Sequence, residues 1–161
     1  MKVEQLMTRN VETCRATDRL NRAAQIMWEH DCGVVPVTAA ADDGARVVGV
    51  ITDRDICMAA YTQGGTLGDI PVASAMSHEV FSCRPTDALA VALKVMETNQ
   101  VHRLPVVDQD DQVVGVLSLA DIAREAQREH GSRTKEVSDL AVAEAIEAIS
   151  TSRRNGALAT A

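Results

Sequence analysis

Apolar positions along the chain follow two alternating periods. Leu20, Ala23, Ala24 and Met27 fall at i, i+3, i+4 and i+7, the spacing of one buried helical face, and Leu89, Ala92, Leu93 and Met96 repeat it. Thr17-Asp18 is expected to open the first of these helices, and Val11 to Cys14 before it reads as a short strand. After the helix, Val34-Val35-Pro36-Val37 has strand character, and the missing donor of proline places it at a sheet edge or strand end. Asp42-Asp43-Gly44 is a turn signal. Val47 to Ile51 is nearly all apolar, as expected of a strand covered on both faces; it ends at Thr52, and Asp53 begins a second helix.

The same succession occurs twice. Met7 to Val37 matches Met76 to Val106 at a constant separation of 69, with identities that include Cys14/Cys83, Arg15/Arg84, Asp18/Asp87 and Pro36/Pro105. The match resumes at a separation of 66, pairing Val47-Val48-Gly49-Val50 with Val113-Val114-Gly115-Val116 and Asp55-Ile56 with Asp121-Ile122, so the first repeat has a loop three residues longer. This is a duplicated β-α-β-β-α unit of an α/β (α+β) fold, with a first domain over 1–62, a second over 70–128 and a C-terminal segment over 129–161. A unit of about 60 residues is marginal alone, so the two are expected to pack together. In the last segment, Lys135 to Ser150 has a helical stripe of Val137, Leu140, Ala141, Ala145 and Ile149; it suits packing on the parent module or docking of a partner. Ser152 to Ala161 is expected to fray.

Composition narrows the function. Of 161 residues only Trp28, Tyr61 and Phe81 are aromatic, and the net charge is −7. Stacking platforms and a basic face, the needs of nucleic-acid binding, are both missing. The N-terminus lacks the apolar run of a signal peptide and no segment reaches the ~18 apolar residues of a membrane span, so a cytoplasmic protein is expected. Cys14, Cys32, Cys57 and Cys83 form no C-x-x-C, and His30, His78, His102 and His130 are scattered without metal-ligand spacing, so no metal site and structural, reduced cysteines are expected. No Ser-His-Asp set, P-loop or pair of catalytic carboxylates can be assembled, which argues against an enzyme.

Gly49-Val50-Ile51-Thr52-Asp53-Arg54-Asp55-Ile56 and Gly115-Val116-Leu117-Ser118-Leu119-Ala120-Asp121-Ile122 resemble the signature of the CBS-domain family, supported by Met7-Thr8, Met76-Ser77 and the Val-Pro-Val and Leu-Pro-Val steps at 35–37 and 104–106. The resemblance runs from residue 1 to about 126. It implies a tandem pair packed sheet to sheet about a pseudo-twofold axis, with two clefts that in many members hold AMP, ADP, ATP or S-adenosylmethionine as a regulatory ligand and not as an obligatory cofactor. It also assigns Asp55 and Asp121 to the ribose hydroxyls, with Thr52 and Ser118 near the phosphates.

The chemistry of the residues agrees. A carboxylate can accept both vicinal ribose hydroxyls, and a hydroxyl at the first turn of a helix sits beside free backbone N–H groups that suit phosphate. Thr52-x-x-Asp55 and Ser118-x-x-Asp121 equally resemble capping boxes, in which the same groups satisfy the helix start. His102-Arg103-Leu104-Pro105-Val106 resembles the phosphate-contacting segment of adenylate-sensing CBS subunits, and the guanidinium is a planar fork for phosphate. Gly33 and Val34 stand at these positions in the first repeat, so the clefts are expected to differ, and Arg54 is either a substitute cation in the first or a solvated helix residue. Asp121, in the repeat that carries His102-Arg103, is the strongest single contact expected. The sequence therefore predicts a nucleotide-sensing module that signals to an effector protein and forms a homodimer, and Trp28 suits either an interface or partial burial in the core. The rivals are a ligand-free structural or stress-response assembly protein and a cysteine- or metal-responsive regulator.

Overall fold

The computed structural model describes residues 1–39, 46–129 and 139–150. The turn at 42–44, the beginning of the helix expected from Lys135 and the tail from Ser152 lie outside these. The elements are β1 (Thr8–Arg9), β2 (Cys14–Arg15), α1 (Leu20–Glu29), β3 (Val34–Thr38), β4 (Val47–Thr52), α2 (Asp53–Gln63), α3 (Leu89–Asn99), β5 (Arg103–Val107), β6 (Val113–Ser118), α4 (Leu119–Arg128) and α5 (Asp139–Ser150). They form two three-stranded sheets, ordered β2-β3-β4 and β1-β6-β5, each with its own apolar core.

The sheets exchange segments. β1, from the N-terminus, pairs antiparallel with β6 of the second repeat, and Val3 and Met7 are buried in that repeat's core. In the equivalent exchange Ser77 bridges to Val50 of β4, with N–H···O=C distances of 3.0 and 2.9 Å, while Ile70 and Val72 enter the first core. Val3 and Val72 are fully buried, and each such apolar side chain contributes about 1.5–3 kcal/mol. The crossed segments thus hold the repeats together. Gly49 and Gly115 make this possible: a Cβ at Gly115 would lie 2.6 Å from the Thr8 carbonyl oxygen, and one at Gly49 would lie 2.8 Å from that of Ser77.

Four local expectations change. α1 starts at Leu20, with Arg19 as its N-cap, because the Asp18 carboxylate accepts the Arg15 N–H at 2.8 Å and closes a turn instead of opening the helix. The strand expected over Val11 to Cys14 is reduced to Cys14–Arg15. Pro36 lies in the middle strand of its sheet and not at an edge. In the equivalent strand Cys83 donates to the Pro105 carbonyl at 3.1 Å and accepts from Val107 at 3.0 Å. The proline nitrogen therefore faces chain that has not yet entered the ladder, and no hydrogen bond is lost. β4 is buried on one face and half-buried on the other, where full cover was expected.

α5 packs across α3 and α4, with Val142, Ala145 and Ile149 buried in the second core. Of the two readings of the C-terminal stripe, packing on the parent module is the one found for 139–150.

Candidate functional site

Both helices that follow the longest strands begin with a complete capping box. Thr52 Oγ1 accepts the Asp55 N–H at 3.2 Å, and Asp55 Oδ2 accepts the Thr52 N–H at 2.9 Å and its hydroxyl at 2.7 Å. Ser118 Oγ accepts the Asp121 N–H at 3.1 Å, and Asp121 Oδ2 accepts the Ser118 N–H at 2.9 Å and hydroxyl at 2.5 Å. Capping is thus a role these four side chains have in the fold, and it uses one oxygen of each carboxylate.

The other oxygen separates the repeats. Asp121 Oδ1 is hydrogen-bonded by the Arg124 guanidinium, whereas Met58 stands at the equivalent place on α2 and Asp55 Oδ1 has no hydrogen-bond partner among the described residues. Asp55 therefore keeps acceptor capacity that Asp121 has committed.

The strand ends add a second asymmetry. The backbone ties β3 to α2 and β5 to α4 in the same way, with Asp53 donating to the Gly33 carbonyl at 3.4 Å and Leu119 to the His102 carbonyl at 2.8 Å. His102 and Arg103 are exposed at the start of β5. The Arg103 guanidinium nevertheless reaches the first repeat: its Nη2 lies 3.8 Å from where a Gly33 Cβ would be, and Asp53 Oδ2 lies 3.0 Å from the same point. Glycine at 33 leaves the space that these two charged groups flank. Thr52 and Asp55 thus stand at the start of α2, whose Asp53 flanks the Gly33 space together with Arg103, while Ser118, Asp121 and His102 sit at the α4 cap with Val34 in the position equivalent to Arg103. Arg54 is exposed in the first turn of α2. Sequence spacing could not reveal Arg103 crossing between repeats, nor the Arg124 contact, because both depend on side-chain direction.

Elsewhere, a shallow concavity lined by Met1, Lys2, Glu4, Gln5, Arg9, Thr86 and Ala88 holds none of the candidate residues. Cys14 and Cys83 are buried free thiols. Burial, with Asp18 nearby, pushes Cys14 up to about 11, and burial, with Asp87 nearby, pushes Cys83 up to about 12. Both are protonated at neutral pH and so are poor nucleophiles and metal ligands. Among the described residues no three His, Cys, Asp or Glu side chains are grouped to hold a metal ion, and no helix is long and apolar enough to cross a membrane.

This architecture, two β-α-β-β-α units with crossed N-terminal segments and a capped helix after each long strand, defines a tandem module. The CBS-domain family model matches residues 3–61 and 67–128, and the chain belongs to that family. It is 36% identical over 121 residues to the CBS domain-containing protein YhcV of Bacillus subtilis, covering 75% of this chain and 82% of that one. Among solved structures it is similar to Hypoxic Response Protein I with two coordinated zinc ions, at a TM-score of 0.68 and 29% identity over 77% of this chain and 98% of the other. It is also similar to the CBS domain protein PAE2072 of Pyrobaculum aerophilum complexed with AMP, at a TM-score of 0.70 and 25% identity over 79% and 94%.

Proposed function

We propose that the chain is a regulatory, non-catalytic module that takes an adenosine-containing nucleotide into the cleft formed by Thr52, Asp55 and Arg103, and passes its occupancy to an effector protein. The observation that carries this reading is the open carboxylate oxygen of Asp55 in the first turn of α2, whose first residue, Asp53, flanks the space at Gly33 together with a guanidinium supplied by the other repeat. Asp55 Oδ1 accepts a ribose hydroxyl while Oδ2 continues to cap α2. The α2 N-terminus and Arg103 then provide donors for a phosphate, with Arg54 in the same turn. The AMP-bound relative supports the ligand class.

The second cleft, with Ser118, Asp121 and His102, has the same plan, but its carboxylate is engaged by Arg124 and its cross-repeat position is apolar Val34. It is the weaker of the two sites. A cysteine-based response is disfavoured because Cys14 and Cys83 are buried and protonated, although the zinc-bound relative makes metal titration a necessary control. The reading includes a homodimer, since the exposed apolar residues of the first repeat are otherwise left in water.

Titration calorimetry with AMP, ADP, ATP, S-adenosylmethionine and adenosine tests the reading. Saturable binding with AMP tighter than adenosine is expected, because the Arg103 fork acts on phosphate. Binding of none of the five would overturn it, and equal affinity for AMP and adenosine would remove Arg103 from the site.

A further inference from the structure

The residue that follows the cap hydroxyl differs in character between the repeats. On α4 it is Leu119, 7% exposed, which fills the second core; on α2 it is Asp53, which is exposed. Asp53 Oδ1 accepts the Arg54 N–H at 2.7 Å, while Oδ2 lies 3.0 Å from where a Gly33 Cβ would be, and Arg103 Nη2 lies 3.8 Å from that point. Asp53 and Arg103 form no ion pair with each other or with another described residue. Both charges are therefore open, and a group that fills the Gly33 space meets both. A carboxylate at the first helical residue also suits the positive end of the helix dipole, a role that would be indifferent to the charge of a ligand.

We infer that Asp53 is the charge-selectivity residue of this cleft, admitting an adenosine ligand with one phosphate and working against those with two or three. The inference rests on the nucleotide reading above and adds the class of nucleotide that the cleft takes. The charged side chains involved balance one another: Arg54 and Arg103 are positive, Asp53 and Asp55 negative. The Arg103 fork pairs with a first phosphate. Each further phosphate brings negative charge that these residues do not neutralise and that Asp53 repels, and the net −7 of the chain adds to the repulsion. A like charge several ångströms away in a partly enclosed site weakens binding on the order of tenfold once salt screening is included.

The effect follows the sign of the ligand's charge, which a purely structural role for Asp53 does not reproduce. Neutral adenosine is indifferent to the carboxylate, and the cationic sulfonium of S-adenosylmethionine is attracted by it. Since Leu119 replaces the carboxylate on α4, the second cleft lacks this filter.

Asp53→Asn keeps the shape of the side chain and its Oδ1 acceptor and removes the charge. Titration calorimetry of the full chain and this variant with adenosine, AMP, ATP and S-adenosylmethionine, in magnesium-free buffer at low and at roughly 0.5 M salt, tests the inference. In the wild type AMP is expected to bind about tenfold tighter than ATP. In the variant ATP should gain about tenfold and AMP no more than about threefold, with adenosine unchanged, S-adenosylmethionine not improved, and the ATP gain smaller at high salt. With AMP bound, an ATP affinity equal to that of AMP in the wild type, an AMP-to-ATP ratio unchanged in Asp53→Asn, or an equal shift for all four ligands would overturn this inference and leave the nucleotide cleft standing. Binding of none of the four would overturn both. Should Asp53→Asn fail to fold in a ligand-free melt, Asp53→Ser, which also suits a helix start, carries the same test.

Discussion

Replacing Asp55 and Asp121 by alanine, one at a time, separates the two roles of the capping carboxylates. In either variant the helix loses the reciprocal box, in which Oδ2 accepts both the N–H and the hydroxyl of the N-cap residue. Loss of a cap costs about 0.5–2 kcal/mol, and loss of an acidic group from the first turn a further ~0.3–1 kcal/mol. Asp121→Ala also breaks the Arg124 contact, but that arginine is 69% exposed and such a pair contributes roughly 0–1 kcal/mol. Both variants should therefore lose about 1–3 kcal/mol, or about 2–12 °C in melting temperature for a chain of this size. Their affinities should differ. Asp55→Ala removes the open acceptor and should weaken AMP by about 1.5–3 kcal/mol, one to two decades in Kd, whereas Asp121→Ala should leave the tighter site within about threefold. Denaturant unfolding without ligand and calorimetry with AMP measure the two effects separately. A loss of affinity confined to Asp121→Ala, or equal in the two variants, would refute the assignment of the open oxygen.

Other outcomes follow from packing and titration. Native protein should expose Cys57 to a thiol reagent promptly, while Cys14 and Cys83 should react only when denaturant unfolds their cores; prompt labelling of either would contradict their burial. Because both thiols are raised on folding, to about 11 and about 12, the unfolded chain releases protons first. Stability should therefore fall as pH rises from about 9 toward 12. Compared by urea unfolding, Cys14→Ala/Cys83→Ala should show a shallower fall over that range, and an identical slope would exclude the thiols as its source. Ile149→Ala empties a 6% exposed position and should cost about 2 kcal/mol or more, read in a melt; no change would mean that α5 does not stay docked. Gly115→Val places its side chain against the Thr8 carbonyl oxygen and should destabilise by at least ~1–3 kcal/mol, whereas a neutral effect would argue against the crossed N-terminal segment.

Much of this was legible in the residues. The i, i+3, i+4, i+7 spacing at Leu20 and Leu89 identified the buried faces of α1 and α3, and the separations of 69 and 66 identified the duplication. Thr52-x-x-Asp55 and Ser118-x-x-Asp121 already contained both roles, since a capping box and a ribose site need the same groups at the same spacing. Long-range placement was not legible. Nothing local in Val3 distinguishes a residue of its own repeat from one that fills the other repeat's core, and the start of α1 was displaced because Asp18 accepts from Arg15 instead of capping a helix. Arg103 was read together with Asp121 because they share a repeat; its side chain leaves β5 in the direction of Gly33, which sequence order does not encode. The same holds for Arg124 and Met58, whose difference matters only once the free oxygen of each carboxylate is known.

The central claim is that this tandem module carries one nucleotide site better formed than the other, at Thr52, Asp55 and Arg103. Native mass spectrometry of the chain titrated with AMP tests it most directly, because it counts ligands per chain. The account predicts a first AMP on each chain well before a second, with that first step removed in Asp55→Ala and retained in Asp121→Ala. Two equivalent sites filling together, or no AMP retained at any concentration, would contradict it.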